Sequence, residues 1–417
     1  MSSFSVVPVG WEIKEIKDAG ISVIDGDRGK QYPNKSEFSS TGFCLFLNTG
    51  NIKGDSFDFT SCDFITEQKD SLLKKGKLRR RDIILTTRGT VGSIAYYSES
   101  IPFEDVRINS GMVIMRAGED LDSCYLYYLL KSPISKTQYL LYASGSAQPQ
   151  LPIKDLRRIK LPLPPIKVQR KIAAILTAYD DLIEANKRRI ALLEKMAEEL
   201  YREWFVRLRF PGYQNTRFVK GVPEGWEVTR LGEILDLAYG KALKDTDREP
   251  GDVPVYGSGG VVGYHSTAIV QKKGIIVGRK GNVGAVYYSD MGFFPIDTVY
   301  YVVSEQPLSY LFFLLNSLNF INNDAAVPGL NRKQAYSNTF LFPGNELVRL
   351  FAEKASPIFD LKSELEAVNN NLTKTRDLLL PRLISGKLSV EDLDIQFPPS
   401  MQEGPVEQES PPEARHA

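Results

Sequence analysis

The sequence predicts an α+β protein in which one mixed α/β domain occurs twice, each copy followed by a long helix. Three observations predict it. Sequence elements recur in the same order in both halves. The recurring segments are rich in glycine, tyrosine, phenylalanine and β-branched residues, with short strand-like runs between turn residues. Each is then followed by about 40 residues of unbroken heptad spacing. A chain of 417 residues is also too long for one ordinary core at ~150 residues per domain.

Composition narrows the class. With 42% hydrophobic and 25% charged residues, the chain is neither wholly disordered nor collagenous nor a disulfide framework. No apolar run approaches the ~18 residues of a membrane span. Residues 1–30 show no apolar h-region, so no signal peptide is expected. Cys44, Cys62 and Cys124 lack paired spacing and read as reduced thiols of a cytoplasmic protein. Lys+Arg 52 against Asp+Glu 51 leaves a net charge of +1, so any basic surface must come from local segregation.

The repeat runs the length of the chain. Val-Pro-x-Gly-Trp-Glu occurs at 7–12 and again at 222–227. Arg88-Gly89-Thr90-Val91-Gly92 before Tyr96-Tyr97-Ser98 is echoed by Arg279-Lys280-Gly281-Asn282-Val283-Gly284 before Tyr287-Tyr288-Ser289. The apolar run at 125–130 is answered at 310–315. The offset shrinks from 215 at Trp11/Trp226 to 192 at Gly89/Gly281, 185 at Tyr125/Tyr310 and 179 at Ile172/Phe351. A duplicated scaffold with different loop lengths fits. The expected organisation is a first mixed domain over 1–164, a helix over 165–208, a linker over 209–221, a second mixed domain over 222–344, a helix over 345–384, and a C-terminal segment, 385–417.

Taken in order, Asp82–Thr86 and Gly274–Val277 read as short strands between turn residues. The runs at 125–130 and 310–315 read as short buried helices, the first with Asp122 or Ser123 as N-cap. In the first long helix Ile172, Leu176, Tyr179, Ile183, Asn186, Ile190, Leu193, Ala197, Leu200 and Trp204 step by four and three alternately. In the second the same steps take Leu347, Phe351, Lys354, Ile358, Leu361, Leu365, Val368, Leu372, Thr375 and Leu379, and Pro381 ends the helix. Each run is roughly 60 Å long at 1.5 Å per residue. One helix cannot bury its own stripe, and the other copy is the nearest partner. Asn186 either fixes register, as single seam asparagines do, or lies at an exposed edge. The tail 391–417, with seven acidic residues against Arg415 and two Pro-Pro pairs, reads as disordered.

Catalytic motifs are missing. There is no phosphate-binding loop. Gly257–Gly263 lacks the third glycine of a dinucleotide fingerprint. No Asn-Pro-Pro-aromatic or Asp-Pro-Pro-aromatic element of an amino-methyltransferase occurs. Glu12-Ile13-Lys14 has no upstream acid of a nuclease. His265 and His416 are too few for a histidine metal site, and no Cys/His/Asp cluster is spaced as ligands. No catalytic and no metal-binding residue is assigned.

Recognition fits better. Residues 74–88 hold seven positive charges against Asp82, and 154–220 hold 16 against eight acidic ones. Arginine and lysine beside glycine suit nucleic acid. The backbone approaches closely there, and Arg takes guanine O6 and N7 bidentately as Gln and Asn take adenine. The candidate DNA-binding residues are Arg79, Arg80, Arg81, Arg88, Thr90, Gln148 and Gln150 in the first half. In the second they are Tyr256, Ser258, Arg279, Lys280, Asn282, Asn331 and Arg332. The alternative for Arg88 and Arg279 is a structural ion pair at a turn, and Arg79–Arg81 read equally as a solvated charge run or as phosphate contacts.

A family resemblance now becomes legible. Pro254-Val255-Tyr256-Gly257-Ser258-Gly259-Gly260, Gly278-Arg279-Lys280-Gly281, Pro295-Ile296-Asp297-Thr298 and Val327-Pro328-Gly329-Leu330-Asn331 resemble the target-recognition domain of type I restriction–modification specificity subunits. Gly145-Ser146-Ala147-Gln148-Pro149-Gln150-Leu151 and Leu161-Pro162-Leu163-Pro164-Pro165 are similar to the exit from such a domain into its helix. Leu380–Leu388 resembles the family's helix ending. The resemblance covers roughly 1–390. It implies two target-recognition domains whose long helices pair antiparallel, each domain reading one half of a bipartite asymmetric site in double-stranded DNA. It implies docking of two methyltransferase (M) subunits and of restriction motor-nuclease (R) subunits, and no membrane. It implies no cofactor on this chain; S-adenosylmethionine would belong to the methyltransferase partners, and ATP and Mg to the motor. The first half departs from the pattern: it lacks Tyr-Gly-Ser-Gly-Gly, and Arg88-Gly89 lacks the intervening lysine. Two other readings stay open: a coiled-coil assembly scaffold that binds protein only, and an enzyme with an unrecognised site.

Overall fold

The computed structural model describes residues 7–145, 148–320 and 329–402. Ser146, Ala147, Val327 and Pro328 of the quoted motifs, and the acidic stretch 403–417, lie outside the described residues. The chain divides into two compact units, Met1–Glu184 with Asn370–Ala417, and Ala185–Asn369.

The first unit is built on four antiparallel strands in the order Ile21–Asp25, Met112–Ala117, Ile83–Thr86, Ile94–Tyr96. Ile83–Thr86 is apolar without alternation because both faces of the sheet are covered. Ile83 and Leu85 face the helix Ser123–Lys131 and the start of the first long helix, with Ile94, Val113 and Met115. Ile84 points the other way, with Ala95, Met112 and Ile114, onto Leu45, Leu47, Val106 and Ile108. Those four belong to a second sheet, ordered Phe64–Ile65, Cys44–Leu47, Val106–Ile108. Glu12–Glu15 pairs with Lys160–Leu163 and closes the domain. Asp122 caps the short helix by accepting from the Tyr125 amide at 2.9 Å. Ser123, the other cap candidate, instead meets the Tyr96 hydroxyl at 3.1 Å.

The second unit repeats both sheets and the closing strand pair. Its main sheet is ordered Asp236–Tyr239, Val299–Val303, Gly274–Gly278, Val286–Ser289. Its second sheet is Gly260–His265, Val253–Gly257, Phe294–Pro295, with the same parallel pairing at the last position. Glu227–Arg230 pairs with Thr339–Phe342, and the helix Leu308–Ser317 stands where Ser123–Lys131 does.

The first long helix runs Ile166–Tyr201 and continues as a wider π-helical turn over Arg202–Val206; the second runs Asn345–Ile384. Each contributes one half to each unit. Ile172 and Leu176 share the first core with Leu380, Leu383 and Ile384. Ala197 and Tyr201 share the second with Phe351 and Ala355. The second helix therefore does not stop at Pro381. Proline inside a helix costs ~3 kcal/mol, but continuing one turn buries Leu383 and Ile384 completely, at ~1.5–3 kcal/mol each.

The seam of the first helix lies where heptad spacing puts it. That of the second is displaced by one residue at every other step. Leu361 and Val368 are 39% and 44% exposed, and Lys354 and Thr375 also face outward. The inward line is Phe351, Ala355, Ile358, Lys362, Leu365, Asn369, Leu372, Arg376 and Leu379, buried or half-buried throughout. Three of the four displaced positions, Lys362, Asn369 and Arg376, are polar and matched. Within the second unit Asn186 donates to Asn369 at 3.0 Å and Lys362 meets Glu194 at 2.6 Å. Within the first unit Arg376 pairs with Asp180, which also accepts from the Tyr128 hydroxyl at 2.7 Å. From Asn186 to Glu194 the partners step back along the other helix, so the pairing is antiparallel. Asn186, 2% exposed, is an interior register group rather than an edge residue.

The tail also differs from expectation. Residues 391–402 are ordered against the first unit: Ile395 and Met401 pack on its core, Lys171 donates to the Glu391 carbonyl at 2.6 Å, and Ser400 to Asp181 at 2.5 Å. Acidic composition hid these two apolar anchors.

Asn369→Leu removes the acceptor of a buried amide and is expected to cost ~1–3 kcal/mol in chemical unfolding. The double substitution with Asn186→Leu should recover most of that loss, because an apolar pair needs no partner. A double variant as unstable as the single one would refute the pairing.

Candidate nucleic-acid interface

The two glycine-rich loops that follow the central strands are one loop built twice. In the first unit the Thr87 and Arg88 amides donate to the Gly111 carbonyl at 2.8 and 3.2 Å, Gly92 to Thr86 at 3.0 Å, and Leu151 to Thr87 at 2.9 Å. In the second, Arg279 and Lys280 donate to Thr298 at 2.9 and 3.0 Å, Gly284 to Gly278 at 2.8 Å, and Leu330 to Arg279 at 2.7 Å. Gly89 and Gly281 both take positive φ, 73° and 77°, a conformation that favours glycine.

This frame corrects one sequence pairing. Arg88 corresponds to Lys280, and Thr87 to Arg279. Thr87 is 5% exposed and turns its hydroxyl inward to the Gly111 carbonyl at 3.0 Å. The first unit therefore has a buried threonine, and no arginine, at the position of Arg279.

In the first unit the structure brings Arg88 and Gln150 together as bridge partners. Both are exposed, as are Thr90 and Gln148. The arginine triplet stands elsewhere. Arg79–Arg81 precede strand Ile83–Thr86 and Arg88 follows it, so they stand at opposite ends of a strand about 13 Å long at ~3.3 Å per residue. The triplet forms a turn in which Asp82 accepts from the Arg79 amide and from Arg116, at 2.7 Å each. Arg81 there adopts a φ of 72°. Arg80 donates to the Ser98 and Ile101 carbonyls at 2.8 and 3.0 Å and lies 4.4 Å from the Tyr97 ring centre, so it is a structural residue. Arg79 and Arg81 stay exposed. Sequence reasoning missed Arg28, which reaches the Ser110 carbonyl at 3.2 Å beside the Gly111 that anchors the loop. Its signal was there: arginine and lysine around Gly29, behind Gly26, whose Cβ would lie 2.2 Å from the Asn109 carbonyl oxygen.

In the second unit Lys280 and Asn282 are exposed at the loop tip. Ser258 stands against it, its hydroxyl 3.0 Å from where a Gly281 Cβ would lie. Arg279 donates to the Asp297 carbonyl at 3.1 Å and lies 5.0 and 5.7 Å from the Tyr239 and Tyr300 ring centres. Arg332 lies 5.2 Å from the same Tyr239 ring and 6.0 Å from Tyr336. Burial pushes the Tyr300 and Tyr336 phenols above their ordinary range, so they stay neutral beside the guanidiniums. Two candidates have other work. Asn331 caps the helix Arg332–Ser337, accepting from the Lys333 amide at 2.9 Å. Tyr256 is 8% exposed and packs on Phe293 with ring centres 5.7 Å apart, so it is a core residue and not a surface contact. Sequence reasoning missed Tyr239, 49% exposed, because a lone tyrosine at a strand end looks like any other strand residue.

No described helix is long and apolar enough to cross a membrane. Comparison with known proteins returns one family. The family model described as type I restriction modification DNA specificity domain matches residues 8–195 and 223–347. The chain is similar to the type I restriction enzyme MjaIX specificity subunit of Methanocaldococcus jannaschii, 25% identical over 93% of this chain and 95% of that protein. It is also similar to the HindI specificity subunit of Haemophilus influenzae, 21% identical over 87% and 98%. Among solved structures, the S subunit of a type I restriction–modification system from M. genitalium shares the fold, with a TM-score of 0.57 and 18% identity over 92% of this chain and 98% of that one.

Two substitutions separate frame from surface. Tyr256→Ala should destabilise the second unit by ~3–5 kcal/mol, as loss of a buried aromatic does. Lys280→Ala should leave stability within ~0.5 kcal/mol and weaken duplex binding by the assembled complex. Thermal unfolding and salt-titrated DNA binding check both; a destabilised Lys280→Ala would make this loop a structural element only.

Proposed function

The chain belongs to the type I restriction–modification DNA specificity family, and we propose that it is the subunit through which such a complex reads its DNA. Each unit reads one half of a bipartite, asymmetric site in double-stranded DNA. The chain carries methyltransferase subunits and motor-nuclease subunits, which perform the chemistry; S-adenosylmethionine, ATP and Mg belong to them. The assembly works in the cytoplasm. The target adenine leaves the base stack for the partner's pocket, so this chain needs to identify the site and not to react with it. Arg88, Thr90, Gln148 and Gln150 form the candidate surface of the first unit. Ser258, Arg279, Lys280, Asn282 and Arg332 form that of the second.

One observation carries this reading: the same hydrogen-bonded loop frame occurs twice with different side chains on it. A scaffold kept constant under changed surface residues suits two readers of unlike sequences. A pure assembly scaffold gives no reason for exposed Arg, Lys, Gln and Asn to collect at those glycine loops.

The net charge of +1 provides little long-range attraction to a duplex. The chain alone is expected to bind DNA weakly and with little selectivity. With methyltransferase subunits present, binding should become tight, sequence-selective and steeply salt-dependent, and methylation mapping should return an asymmetric two-part site. Partner binding without selective duplex binding would favour the assembly scaffold. Methyl transfer or cleavage by the purified chain alone would favour an enzyme.

A further inference from the structure

The two units differ in chemistry at one set of corresponding positions beside the glycine loop. Asp25 and Tyr239 occupy the same strand position, opposite Val113 and Tyr300 respectively. Each precedes a glycine, Gly26 or Gly240, whose Cβ would lie about 2 Å (2.2 and 2.0 Å) from a carbonyl oxygen of the facing loop. With Thr87 matched to Arg279, and Leu151 to Leu330, Ile153 matches Arg332. The first unit thus places Asp25, Thr87 and Ile153 where the second places Tyr239, Arg279 and Arg332. In the first unit the acid is answered locally, by Arg28 at 3.2 Å. In the second, two guanidiniums lie within 5.2 Å of one half-exposed tyrosine ring.

Two like charges beside one ring repel each other. The ring face attracts both cations. The Asp297 carbonyl, 3.1 Å from Arg279, and the Leu237 carbonyl, 3.4 Å from Arg332, restrict the two guanidinium planes. An arginine fork fixed before binding loses less freedom per hydrogen bond formed. An adjacent pair suits a dense array of acceptors, and the major-groove edge of guanine presents two, O6 and N7.

Resting on the reading of this chain as a DNA specificity subunit, we infer that Tyr239 is a positioning residue that holds Arg279 and Arg332 as a preformed pair for guanine edges in the half-site read by the second unit. Among its described residues the first unit has no such element, so this mode of reading is confined to one half of the site.

The test uses the assembled complex with its methyltransferase subunits and the mapped site, each base pair replaced singly. Arg279→Ala and Arg332→Lys should each lose ~10–100-fold discrimination at a G·C pair in one half-site, with the other half-site unchanged. Arg332→Lys keeps the charge and removes the fork, so a phosphate contact would survive it. Tyr239→Phe should keep full discrimination, and Tyr239→Leu should lose it at the same base pairs as the arginine variants. Uniform weakening across all sequences with a shallower salt dependence would make the pair a phosphate clamp and overturn the inference. So would unchanged discrimination in every variant. A wild-type complex without sequence preference would instead overturn the functional reading on which this rests. Should Tyr239→Leu lower thermal stability, the two arginine variants with Tyr239→Phe still decide the matter.

Discussion

Polar side chains in the seam between the long helices hold the rest of the structure in place. Apolar seams tolerate slips: moved by a heptad, leucine still meets something apolar. Asn186 with Asn369 does not, because a slip leaves the buried Asn186 amide without its acceptor, and the same slip breaks the ion pairs of Glu194 with Lys362 and Asp180 with Arg376. Both cores depend on that register. Each is closed by one half of each helix, so a slipped seam would withdraw Leu380, Leu383 and Ile384 from one sheet and Phe351 and Ala355 from the other.

On this skeleton the glycine loops act as mounts. Amide-to-carbonyl bonds fix their path in both units, and none of those bonds depends on a particular side chain. Side chains at Arg88/Lys280 and Asp25/Tyr239 can therefore change while the loop frame stays the same. That freedom lets one duplicated scaffold present an acid–arginine pair in one copy and an arginine–tyrosine cluster in the other. The inward residues have no such freedom: Tyr256 sits among the rings of its own core, and Arg80 is committed to two carbonyls and a ring.

Much of the architecture was legible in sequence because it rests on periodicity. Duplication showed in ordered repeats, and the seam of the first helix showed because nearly all its positions are apolar. The second seam was misread by one residue because hydropathy favours Leu361 and Val368, while the true positions carry Lys362 and Asn369, whose partners lie on another segment of chain. The same limit governed the site. Matching Arg88 to Arg279 followed residue identity, whereas the backbone frame runs from Gly89 to Gly281 and pairs Arg88 with Lys280. Tyr239 gains its meaning only from Arg279 and Arg332, 40 and 93 positions further along, and no local pattern announces such a meeting.

The sharing of the helices between units has a consequence for biogenesis. The second unit is continuous in the chain, while the first is interrupted by it. Val168, Ile172 and Leu176 emerge from the ribosome roughly 200 residues before Leu380, Leu383, Ile384 and Val390, which complete their core. At ~5–20 residues per second that interval is about 10–40 s, ample for the inserted unit to collapse first. During it, the first half of the chain carries an open apolar stripe, making this nascent intermediate a natural client for chaperones and the stage most exposed to misassembly between neighbouring chains.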